Sequence, residues 1–100
     1  MGKYTFIMYF RGGTYISQVE ENNLTGSIKL WASKLDIKPI KYFGIKAKED
    51  LLKEIDEEIP TLLDGLSNIW YMGFLLNGSY TVVHVIRTDK NSEDNDSTDL

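Results

Sequence analysis

A chain of 100 residues allows one domain and leaves no room for a separate catalytic module. Hydrophobic residues make up 42% and aromatic residues 12%, enough for a packed core and too much for a chain that stays unfolded. The net charge of −4 belongs to the last stretch, where Asp89, Glu93, Asp94, Asp96 and Asp99 oppose only Lys90; the balanced remainder has no basic stripe, which speaks against nucleic acid as a partner.

Lys3 to Phe10 alternates as a strand does, with Tyr4, Phe6, Met8 and Phe10 on one side and Thr5, Ile7 and Tyr9 on the other. Gly12-Gly13 reads as a two-residue hairpin loop, and Thr14 to Glu20 as the returning strand. That loop sets Phe10 opposite Tyr15, Met8 opposite Ser17 and Phe6 opposite Val19. The other face then carries Ile7, Tyr9, Ile16 and Gln18, more apolar than a solvated face should be.

At Asn23, an N-cap residue by type, the period becomes helical. Leu24, Ile28, Trp31, Ala32 and Leu35 form one stripe, with Trp31 as a core anchor. Pro39 and Gly44 interrupt the chain between Asp36 and Ile45, so Pro39 to Phe43 reads as a short edge strand or an irregular link. A second helix is expected over Ala47 to Ile59, buried through Leu51, Leu52, Ile55 and Ile59 and ended by Pro60. Its solvent side is rich in acid. Thr61 to Ser67 reads as a connection with a turn at Asp64-Gly65.

Asn68 to Thr88 reads as a long hairpin closed by Asn77-Gly78, a pair suited to a type I′ turn. Phe74 then faces Thr81, Met72 faces Val83 and Trp70 faces Val85. The reverse side holds Ile69, Tyr71, Leu75, Tyr80, Val82, His84 and Ile86. Both surfaces are apolar, so one should meet the helices and the other needs a different cover. Asp89 to Leu100 reads as an acidic disordered tail.

Little in the chain points to catalysis. There are no cysteines, which excludes disulfides and thiolate chemistry and suits a reducing cytoplasm. The one histidine, His84, lies between Val83 and Val85 in a strand, and no second histidine can join it on a metal. No nucleophile elbow, phosphate-cradling glycine loop or dinucleotide fingerprint occurs. No cofactor, metal site, catalytic residue, leader or membrane span is expected.

The stretch Gly12-Gly13-Thr14-Tyr15-Ile16-Ser17-Gln18-Val19, after an aromatic strand and before a helix bearing Trp31, resembles the start of small bacterial α+β proteins. It also distantly resembles the start of HicB-type antitoxins, in which a Gly-rich turn and strands precede a helix. The likeness spans roughly the first third of the chain. It implies an immunity or antitoxin role, in which a compact acidic domain binds and occludes a toxin.

The expected fold is α+β over residues 1–88, in the order ββααββ. Two antiparallel hairpins form a roughly four-stranded sheet with two helices on one face. The leading functional expectation is a non-catalytic module for a protein partner such as a basic toxin domain, engaged through Asp50, Glu54, Glu57 and Glu58 or through Ile7, Tyr9 and Ile16. The alternatives are a homodimer closed by the spare sheet face, and a small-molecule sensor or enzyme with a pocket between Trp31, Trp70, Tyr71 and His84.

Overall fold

The computed structural model describes residues 2–63 and 65–88. The first strand, β1 (Gly2–Phe10), buries Tyr4, Phe6, Met8 and Phe10 on one side, as a period of two requires. It pairs antiparallel with β2 (Gly13–Glu21). The loop is Arg11-Gly12 rather than Gly12-Gly13. With φ at +47° and +82°, both central residues are left-handed, as a type I′ turn demands. Phe10 therefore pairs with Gly13, Met8 with Tyr15 and Phe6 with Ser17, two residues from the expected register. A slip of two leaves every side chain on its expected face.

The contacts of two residues explain the choice of loop. Gly13 packs against Tyr15, whose hydroxyl oxygen would stand 2.5 Å from an added Cβ. Arg11 donates from Nε to Ser79 Oγ at 2.6 Å and lies over the Phe10 and Tyr42 rings. Those contacts hold a non-glycine residue where it would otherwise be strained.

The first helix, α1 (Leu24–Lys34), starts where expected, with the Asn23 side chain accepting the Gly26 N–H at 2.7 Å. Ile28, Trp31 and Ala32 are buried, and Trp31 stacks on Phe6 with ring centroids 4.7 Å apart. At the far end, Lys48 Nζ donates to the carbonyls of Ser33 and Leu35 at 3.1 and 3.0 Å, satisfying groups the helix leaves open. Partial burial there lowers the Lys48 pKa.

The link that follows is irregular, not a strand, and it supplies core residues: Ile40 and Phe43 are buried, with Phe43 edge-on to Phe10 at 5.0 Å. The second helix, α2 (Gly44–Glu54), begins earlier and ends earlier than its apolar pattern suggests. Its buried line is Ala47 and Leu51, continued by the half-buried Ile55. Leu52 (40% exposed) and Ile59 (80%) are not part of it, because the chain unwinds after Glu54 and Leu52 points a third of a turn away. The pair β3 (Thr61–Leu62), expected as a connection, is a fifth strand against Trp70 and Tyr71. Asp64 of the expected turn and the acidic stretch from Asp89 to Leu100 lie outside the described residues.

The hairpin of β4 (Ile69–Leu76) and β5 (Ser79–Arg87) forms as expected, with Asn77 and Gly78 at φ +46° and +78° and Met72 opposite Val83. Pairing of β5 with β1 gives one antiparallel sheet in the order β2-β1-β5-β4-β3. The chain is thus α+β with five strands, in the order β-β-α-α-β-β-β, rather than four. Both helices join the inward side chains of β1, β4 and β5 in one core. No helix among the described residues is long and apolar enough to cross a membrane.

Candidate functional site

Alternation that buries Phe6, Met72 and Val83 sends their neighbours to the opposite side of the sheet. There, one row of direct partners runs across all five strands: Ile16, Ile7, His84, Tyr71 and Thr61. Tyr9 and Val82 pair in the row on one side of it, and Thr5, Ile86 and Ile69 in the row on the other. The rings interlock. His84 meets Tyr9 edge-on at 5.6 Å and tilts against Tyr71 at 6.1 Å. Tyr71 and Tyr80 share a hydroxyl hydrogen bond of 2.5 Å, which, with some burial, raises the Tyr80 pKa. Gly73 leaves the room in which the Tyr80 ring lies.

This face is apolar and open. Both helices pack on the other side, and among the described residues no element lies over it. Ile16 is 65% exposed and Tyr80 62%, with Tyr9 and Leu75 also exposed. An ion pair at its rim is a long one, Lys3 with Glu20 at 4.0 Å. The expected trio Ile7, Tyr9 and Ile16 therefore stands together on one surface. Tyr71, Tyr80, Val82 and His84 extend it; alternation along the second hairpin had already set them on one side.

The four acids of the second helix region divide. Asp50 accepts the Asn77 N–H at 2.9 Å and Lys46 Nζ at 2.7 Å, and Glu54 accepts the Leu75 N–H at 3.2 Å. Those N–H groups point to the side of β4 away from β5, beyond the short reach of β3. The two carboxylates thus substitute for a missing neighbour strand. Among the described residues Glu57 and Glu58 make no such bond through their carboxylates. With Lys53 they line a shallow groove of about 340 Å³ that also reaches Asp50 and Glu54. Nothing in the sequence pattern shows this division, because it depends on where α2 meets the edge of β4.

The residues set out as a pocket lining do not meet. Trp31 and Trp70 pack with the core, whereas Tyr71 and His84 lie on the opposite face, since neighbours in a strand point apart. Among the described residues no group of three or more His, Asp or Glu side chains converges as a metal centre would.

No protein family, curated protein or solved structure matches the chain. Its functional reading rests on two surfaces, the open sheet face and the acidic end of α2.

Proposed function

We propose that the chain is a non-catalytic, cytoplasmic protein-binding module that docks its partner on the helix-free face of the sheet, as an immunity or antitoxin protein occludes a toxin. The observation that carries this reading is the uncovered row from Ile16 through Ile7, His84 and Tyr71 to Thr61. A contiguous exposed apolar patch on a monomer is commonly an interaction site. Tyrosine and histidine suit it, because each offers a rigid apolar body with a polar tip. Glu57 and Glu58 stand where they would attract a basic partner without disturbing the fold. The absence of cysteine supports a reducing compartment.

The test is capture from host lysate on immobilised protein, with the retained partner identified and its binding kinetics then measured. Leu75→Lys with Tyr80→Lys should weaken binding at least about tenfold, since the change replaces exposed apolar contact area with charge that docking would have to desolvate. Glu57→Lys with Glu58→Lys should slow association and flatten its salt dependence while leaving dissociation nearly unchanged. Full retention by the Leu75/Tyr80 variant would remove the sheet face from the account.

A further inference from the structure

The two edges of the sheet are finished differently, and from that difference we propose that two copies of the chain join through β2 into one continuous antiparallel sheet. The β4 edge is guarded. β3 covers Trp70 and Tyr71, and the carboxylates of Glu54 and Asp50 take the N–H groups of Leu75 and Asn77. The β2 edge has no such guard. In a two-residue hairpin the closing pair, here Phe10 and Gly13, exchanges both hydrogen bonds. Alternation then turns the backbone groups of Thr14, Ile16, Gln18 and Glu20 away from β1. The same phase holds on the other side of β1, where the Lys3 carbonyl accepts the Thr88 N–H at 2.7 Å. Among the described residues nothing bonds to those outward groups. The strand also carries no proline, its register with β1 runs unbroken from Gly13 to Glu21, and its only charges, Glu20 and Glu21, stand at one end, so most of its length lacks the devices that blunt an edge.

Charge placement selects a second copy as the occupant. On the helix side of β2 runs an apolar groove of about 320 Å³ between Tyr15, Leu35, Pro39 and Ile40, with Asp36 at its rim. Toward the other end of the strand, Lys34 stands beside Gln18, Val19 and Glu20, and it shares with Asp36 a smaller cleft beside Ser17 at the strand's middle. Reversing the chain about an axis through Ser17 sets Ile16 against Gln18 and Thr14 against Glu20 of the second copy. It brings Lys34 of each copy to Asp36 of the other, and Val19 over the other's apolar groove. The ladder gains about eight backbone hydrogen bonds. A parallel addition would instead lay Glu20 and Glu21 on their own counterparts. An unrelated peptide could satisfy the ladder but not the two reciprocal charge pairs. The joined sheet also doubles the width of the open face, with Ile16 of both copies near its middle. The proposal nonetheless stands apart from what that face binds.

Sedimentation velocity on the full chain should give the mass of two copies at about 10 μM. Gln18→Pro removes one outward N–H and leaves the ladder to β1 intact; with circular dichroism unchanged, it should weaken the dimer on the order of 100-fold. Lys34→Asp should weaken it about tenfold, and adding Asp36→Lys should restore it. A monomer at about 100 μM would overturn the proposal, as would a dimer indifferent to both Gln18→Pro and Lys34→Asp. A dimer broken only by Leu75→Lys with Tyr80→Lys would place the joint on the open face and equally overturn it. A Gln18→Pro monomer that still holds a captured partner would support the edge and keep the two surfaces distinct.

Discussion

Asp50 joins helix to hairpin through one carboxylate, and its environment makes that role measurable. The hydrogen bond from Lys46, and then that from the Asn77 backbone, hold its pKa below the ordinary carboxylate value, while Lys46 is raised in return. A group depressed in the folded state adds stability at pH values above its unfolded pKa and loses it as pH falls through the depressed value. Asp50→Asn should therefore lower the urea midpoint at neutral pH, by a deficit that shrinks toward acid pH as the parent carboxyl takes up its proton. An equal deficit at neutral and acid pH would mean that Asp50 acts through shape alone. Arg11 shows the limit of reading single residues. Its left-handed backbone is secured by Ser79, 68 residues away in the chain, so composition alone favoured Gly12-Gly13 as the loop.

At the scale of elements, legibility followed periodicity. The long strands announced their buried sides, and Asn77-Gly78 was the one pair in its region able to close a type I′ turn, so the second hairpin had a single register. Reading Gly12-Gly13 as the loop, where Arg11-Gly12 forms it, left the first hairpin two residues adrift, yet with its faces right. β3 was invisible because two residues carry no period, and the apolar pattern outruns α2 because Ile55 and Ile59 continue its stripe past Glu54. Of the candidate site, Ile7, Tyr9 and Ile16 were legible as one surface. The guarding of β4 was not, since it arises only where a helix crosses an edge. That guard has its own signature. Glu54→Ala should speed hydrogen exchange at the Leu75 amide by about tenfold while leaving Val83 and Val85, deep in the β4–β5 ladder, unchanged. Uniform acceleration of all three would indicate loosening of the whole fold instead.

The molecule as a whole has two apolar sheet faces with different duties, and stability should separate them. Phe6 is fully buried against Trp31, and its truncation to alanine removes a stacked ring from the centre of the core. Such a change costs about 3–5 kcal/mol, comparable with the ~5–10 kcal/mol that holds a domain of this size together. Leu75 is also apolar and also in the sheet, but it lies on the open side with no packed layer above it. Leu75→Lys should therefore change stability by no more than about 0.5 kcal/mol. Equilibrium urea unfolding of the two variants, followed by tryptophan fluorescence from the core residues Trp31 and Trp70, measures both on one scale. A large loss in Leu75→Lys would show that the open face already supports the isolated fold, and its hydrophobicity would then need no partner to explain it. A loss confined to Phe6→Ala leaves the outer tyrosines and isoleucines as surface the fold can do without, which is the condition under which binding is the reason they are there.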